Sequence, residues 1–356
     1  MQQERTEIPL DVLEVIFRHL TPHELARCCR INRAVHTLAV EALYRDLRPN
    51  QHNVMGLCIK LSNDRNLAHR VRSFVLGNSN VDMYLGVISE ALLHLPRLQT
   101  LGLFIGQASS WILPQKDACP FQLKTLACAF FLDTNIVSFL ELQHDLQHLT
   151  VSGSPPLLRS ISPQLIPNLV SIYAPMSVVE VLAPGRPIRD ITTFNHIGRR
   201  KPSISSLSKT TVPVQLLKVN FGYLQTLESG DLSESTPNLV NLSIDADNVK
   251  PDDEDVRELS IFPIGFHLFY FGQMIDELTE WIEEYLSHAK DLKYLNIRFY
   301  PEKSTVPCQE LDFSDMITSI FAASTRLSHI IITFYGYKAK YVCKRLHGYD
   351  WYIVND

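Results

Sequence analysis

The residues that could do chemistry are few and scattered. Cys28 and Cys29 lie near His23 and His36, a grouping that would suit a thiolate nucleophile with an imidazole base. Both cysteines, however, fall on a helix whose apolar stripe needs them, and buried cysteine is ordinarily packing. The thirteen histidines are spread singly, and no H-x-x-x-H or H-E-x-x-H falls on a predicted helix. Phosphate-cradling and nucleophile-elbow glycine patterns are absent from the sequence. Gly185-Arg186-Pro187 reads as a turn, because no glycine repeat leads from it into a helix. Glu283-Glu284 and Asp252-Asp253 are adjacent carboxylates, which point apart on a helix and are solvated in a loop. Neither a nucleophile, a metal site nor a cofactor cradle emerges. The chain is expected to be non-catalytic, with no cofactor and no metal, so its chemistry should be recognition.

The stretch best suited to recognition is Ile8–Leu47. Val12, Leu13, Ile16, Phe17 and Leu20 line one face of a short helix, and Pro9 suits its start. Thr21-Pro22-His23-Glu24 then begins a second helix: Thr21 can cap, Pro22 fits the first turn, and Glu24 can reach back. This helix buries Leu25, Cys28 and Cys29. A third, from about Asn32, places Val35, Leu38, Ala39 and Ala42 on one face. Three such helices have too small a core to be robust alone. A partner, or the chain beyond residue 47, must complete them.

The pattern Ile8-Pro9-x-Asp11-Val12-Leu13-x-x-Ile16-Phe17-x-x-Leu20-Thr21-Pro22-x-Glu24-Leu25 resembles the F-box. Arg27-Cys28-Cys29-Arg30-Ile31-Asn32-Arg33 continues the resemblance, with Asn32 in place of the usual cysteine and Val35 where a tryptophan is common. The resemblance implies docking on a Skp-type adaptor of a cullin–RING ubiquitin ligase. The adaptor-binding residues it implies are Ile8, Pro9, Val12, Ile16, Leu20, Leu25, Cys28, Ile31 and Val35. Val35 offers less contact area than tryptophan, so the affinity is expected to be low for the family.

Composition bounds the rest. The chain has 356 residues, about two domains by length. Apolar content of 46% and charged content of 20% describe a globular protein with a large core. A net charge of −5 gives no general attraction to nucleic acid or anionic lipid. Seven cysteines form no C-x-x-C pair, so neither a zinc ribbon nor a disulfide framework is expected. With no secretory signal pattern at Met1-Gln2-Gln3-Glu4-Arg5 and no apolar run of spanning length, the expected location is cytoplasm and/or nucleus. Arg199-Arg200-Lys201 reads as a solvated loop or a nuclear address.

Beyond a polar helical connector over 48–70, one pattern recurs: an apolar anchor, two variable residues, then apolar–x–apolar. It appears at Val71/Phe74/Leu76, Leu98/Leu101/Leu103, Leu123/Leu126/Cys128, Leu146/Leu149/Val151 and Leu169/Ile172/Ala174. It continues at Ile188/Ile191/Thr193, Leu216/Val219/Phe221, Leu239/Leu242/Ile244, Val256/Leu259/Ile261, Leu292/Leu295/Ile297 and Leu327/Ile330/Ile332. Such spacing is that of leucine-rich repeats, each a strand and a return segment, stacked into a parallel sheet. Helical stripes at Val81–Leu95, Ile275–Leu286 and Phe313–Phe321 support that order. The Pro-, Gly- and Ser-rich interval from Pro175 to Pro213 predicts poorly ordered or coil-like returns. Asp252-Asp253-Glu254-Asp255 reads as a solvated insertion or a contact for a basic partner.

The expected fold is therefore α/β: a three-helix F-box-like module over 5–47, the connector, an irregular leucine-rich-repeat solenoid with a curved parallel sheet over 71–335, and an aromatic C-terminal cap over 336–356. Alternation puts Phe262, Tyr294, Asn296, Arg298 and Tyr335 on or beside the reading face, as candidate target-binding residues. The resemblance implies a substrate receptor of an SCF-type ligase, binding a protein target of unread identity. An adaptor-bound scaffold that delivers nothing, and a solenoid whose first helices are only a cap, stay open.

Overall fold

The computed structural model describes residues 9–77, 81–115, 118–153, 161–162, 164–194, 203–247, 264–300, 313–335, 339–345 and 351–355. The fold is α/β, and the chain divides into two compact units, Met1–Leu158 and Arg159–Asp356.

The first unit opens with α1 (Leu10–Phe17), α2 (Pro22–Cys28) and α3 (Arg33–Arg45). Their ends are set by local chemistry. Thr21 Oγ1 accepts from the Glu24 N–H, and the Glu24 carboxylate accepts from the Thr21 N–H at 2.8 Å, closing the expected capping box. Asn32 caps α3 by accepting from the Val35 N–H at 2.9 Å, a task the more usual cysteine would do poorly. The chain then forms β1 (Asp46–Leu47), α4 (Val54–Asn63), α5 (Arg65–Ala68) and β2 (Ser73–Leu76). It continues with α6 (Leu85–Leu92), β3 (Thr100–Leu103), β4 (Thr125–Cys128), α7 (Thr134–Leu140) and β5 (His148–Val151). Neighbouring strands pair in parallel from β1 to β5. Because β1 pairs with β2, residue 47 is not a clean boundary: the helical module is joined to the sheet by a strand.

Register confirms the repeat columns. Phe74, Leu101, Leu126 and Leu149 are cross-strand partners, as are Leu76, Leu103, Cys128 and Val151, and all are buried. At Gly153 a Cβ would sit 2.0 Å from the Phe130 carbonyl oxygen, so the turn after β5 admits only glycine.

The second unit comprises β6 (Ser171–Tyr173), α8 (Met176–Leu182), β7 (Asp190–Thr192), β8 (Leu216–Asn220), α9 (Phe221–Leu224) and α10 (Ser229–Ser235). It ends with β9 (Asn241–Asp247), α11 (Ile264–His288), β10 (Tyr294–Tyr300), α12 (Ser314–Ala323), β11 (His329–Phe334), β12 (Ala339–Arg345) and β13 (Trp351–Asn355). The strands from β6 to β11 are parallel neighbours, whereas β12 and β13 are antiparallel.

This architecture bears on four expectations. Leu217 and Val219, not Leu216, Val219 and Phe221, carry the β8 pattern: they pair with Leu242 and Ile244, and Phe221 instead starts α9. Lys218 therefore takes the central outward position, and the side chain of Asn220 caps α9 by accepting from the Gly222 N–H at 2.8 Å. Second, β9 pairs directly with β10, and the Val256/Leu259/Ile261 window expected between them lies outside the described residues. Third, the returns of the Pro175–Pro213 interval are not coil throughout: Met176, Val178, Val179 and Leu182 give α8 a buried face. Fourth, the C-terminal segment closes the unit by adding strands. Tyr341 of that segment packs on Phe313 and Phe334, with centroids 6.3 and 6.2 Å away.

The register carries a testable contrast. Leu101→Ala, Leu149→Ala and Leu242→Ala should each cost about 2–5 kcal/mol, while Thr100→Ala and His148→Ala should stay within about 0.5 kcal/mol. Asn241→Ala should cost about 1 kcal/mol, because Asn241 Oδ1 accepts from Asn296 Nδ2 at 2.8 Å. Urea melts of the six variants check the set; equal losses in both groups would mean a wrong register.

Candidate functional site

The helical module is built around a small core of Phe17, Leu25 and Ala39. Leu13, Leu20, Cys28, Cys29, Val35 and Leu38 pack against it, partly buried. What it leaves outside is unusual. Val12, Val15 and Ile16 are 44%, 54% and 42% exposed, and Leu10 and Ile31 are 56% and 66% exposed. Val12, Val15 and Ile16 stand at i, i+3 and i+4, so they share one face of α1. Soluble monomers rarely leave such apolar clusters bare unless they bind something.

The predicted adaptor-binding residues therefore divide. Pro9, Val12, Ile16 and Ile31 are exposed and available. Leu25 is only 4% exposed, and Leu20, Cys28 and Val35 pack against the same core, so these four hold the helices together rather than facing outward. Leu20 and Leu25 also line a cleft of about 690 Å3 beside the module, with Phe17, Leu38, Arg72 and Thr100. Ile8 lies outside the described residues. Leu10 and Val15 were missed by the motif; the i, i+3, i+4 spacing of Val15 with Val12 and Ile16 was the available signal.

The predicted target-binding residues divide as well. Tyr294 is 39% exposed and stacks on His329 of β11, with ring centroids 5.1 Å apart. Tyr335 is 47% exposed and stacks on Tyr300 at 4.6 Å. Asn296 is tied to Asn241. Arg298 is not a free anchor: Nη2 donates to Ser243 Oγ at 2.9 Å, and Nε lies 3.1 Å from Asp245 Oδ1. That approach is off the hydrogen-bond line, so it acts as an ion pair. Lys218 Nζ completes the cluster, 2.8 Å from Asp245 Oδ2. Phe262 and the acidic run Asp252–Asp255 lie outside the described residues.

The groups with catalytic potential have structural partners. His36 Nδ1 lies 2.8 Å from the Cys29 carbonyl oxygen, which can only accept, so the ring donates to backbone rather than addressing a thiol. Burial pushes the Cys58 and Cys128 thiols up to about 12 and Cys343 up to about 11, which keeps them protonated. Ser110 is buried and donates to Asp133 Oδ2 at 2.6 Å, while Asp133 Oδ1 caps α7. Glu283 accepts from Ser319. Among the described residues no group of three His, Cys, Asp or Glu side chains could hold a metal ion, and no helix is long and apolar enough to cross a membrane. No protein-family model matches the chain, and a search of curated proteins returns no match.

Proposed function

We propose that the chain is a non-catalytic substrate receptor of an SCF-type cullin–RING ubiquitin ligase. The exposed α1 face binds a Skp-type adaptor, and the repeat sheet holds a protein target. The observation that carries this reading is the bare apolar face at Val12, Val15 and Ile16 on a module whose own core is complete without it. A helical cap would turn that face inward. Binding there would hold a target close to the ubiquitin-charged enzyme, so the contribution to rate is proximity. Affinity purification of the tagged full chain, with immunoblots for adaptor and cullin, tests it. Both should co-purify; a full chain that brings down neither contradicts the reading. Deleting residues 1–47 is a poorer test, because it removes β1 and bares the β2 edge.

A further inference from the structure

The cleft of about 690 Å3 beside the helical module has two unlike walls. Phe17, Leu20, Leu25, Leu38, Ala42 and Leu43, from the module, make one wall apolar. Arg45, Asp46, Arg72, Ser73, Gln99 and Thr100, at the starts of β1 to β3, make the other polar. The lining carboxylates are matched: Glu14 by Arg18 at 2.7 Å, Glu41 by Arg70 at 3.0 Å and Asp46 by Arg45 at 3.9 Å. Arg72 has no carboxylate partner among the described residues, only the Arg97 carbonyl oxygen 3.5 Å from Nη1. Beside it, the side chains of Ser73, Gln99 and Thr100 have no hydrogen-bond partner among the described residues. Ser73 and Thr100 are register partners, and Thr125 and His148 continue their row, so the polar wall runs on along the outward sheet face. Glu14, Phe17 and Arg18 reach the cleft from the side of α1 opposite to Val12, Val15 and Ile16, at about 100° per residue. An adaptor on the bare α1 face therefore leaves the cleft open.

We propose that the cleft seats a short extended segment of a protein target in which an acidic residue is followed directly by a large apolar one. Adjacent side chains of an extended chain point to opposite sides. The carboxylate thus meets the Arg72 guanidinium and the Ser73 and Thr100 hydroxyls, while the next residue packs on Phe17, Leu20 and Leu38. An apolar wall faced by a few convergent polar groups is the usual form of a binding pocket. A hydrogen bond from a guanidinium to a carboxylate is about twice as strong as a neutral one. The row beyond Thr100 lets the target chain continue across β4 and β5, a surface that a compact small acid would not use. One unmatched cation suits a single carboxylate, whereas a phosphate dianion would face Glu14, Glu41 and Asp46 around the same cleft. The inference deepens the receptor reading by naming the class of target segment, and rests on it for the fate of the captured protein.

Fluorescence anisotropy with the full chain tests it, using a labelled peptide that contains Gly-Ser-Glu-Phe-Ser-Gly. Companion peptides carry Gln for Glu, Ser for Phe, or phosphoserine for Glu, and phenylpropionate serves as a small-acid competitor. The Glu-Phe peptide should bind, and the Gln and Ser peptides should bind at least about tenfold more weakly. Arg72→Gln should lose at least about tenfold in affinity, and Ser73→Trp, which fills the cleft from the sheet side, should abolish binding. Both variants should keep the wild-type melting temperature and adaptor capture, and Ile16→Asp should keep peptide binding. Equal binding of the Gln or Ser peptide, tighter binding of the phosphopeptide, or phenylpropionate binding as tightly as the peptide would overturn the proposal. So would an unaffected Arg72→Gln variant, or loss of the peptide in Ile16→Asp. A chain that captures adaptor but ignores the Glu-Phe peptide sinks this inference alone. A chain that binds the peptide but no adaptor sinks the receptor reading alone.

Discussion

Arg186→Met should destabilise the second unit by about 3–5 kcal/mol, because each buried acceptor left without its donor costs about 1–3 kcal/mol. Arg186 is fully buried, with no carboxylate among its hydrogen-bond partners. Its guanidinium instead donates to four backbone carbonyls: Ser162 and Leu165 at 2.8 Å, Leu182 at 2.5 Å and Pro184 at 3.1 Å. The residue thus ties the segment before β6 to the turn after α8. Burial lowers its pKa to about 10, still high enough to keep the charge at neutral pH. The tie also holds two special backbone positions: Gly185 at φ 76° and Ile166 at φ 46°, the latter strained for a β-branched residue. Methionine matches the volume and relieves the desolvation of the charge, but supplies no donor. Arg186→Lys should fall between, since lysine has three donors and no planar fork. Urea unfolding checks the series. A Met variant within about 1 kcal/mol of wild type would mean that water serves the carbonyls equally well.

The sequence made some of this legible and hid the rest for identifiable reasons. The helix spans at 10–45 were readable because their ends are set by neighbours in sequence, as in the Thr21–Glu24 box and the Asn32 cap. Most strand columns were readable because period-two alternation has one register when one face is buried. The β8 window slipped by two because Val214 to Phe221 offers two alternations, and only packing against Leu242 and Ile244 selects Leu217 and Val219. Arg186 read as a turn residue; its four acceptors come from segments whose proximity no local pattern states. Arg298 looks like an exposed anchor in sequence because its partner Asp245 lies on the neighbouring strand. The motif likewise mixed inward and outward positions, since Leu25 and Ile31 look alike in sequence and differ only in where the helix turns them.

Ile16→Asp should weaken adaptor binding by more than 100-fold, about 3 kcal/mol or more, because it buries an unpaired carboxylate against an apolar groove. The variant should leave the free chain almost untouched. Ile16 is 42% exposed and stands outside the Phe17–Leu25–Ala39 core, so a charge there remains hydrated. A change in stability within about 0.5 kcal/mol is expected. Leu25→Asp is the contrast: it places the charge inside the module core, and should lose binding by unfolding the helices. The most direct measurement is calorimetric titration of purified Skp-type adaptor into the full wild-type chain and into the Ile16→Asp chain. We predict saturable one-to-one binding by the wild type, lost in the variant at an unchanged melting temperature. No binding by the wild type, or equal affinity in both, would contradict the account.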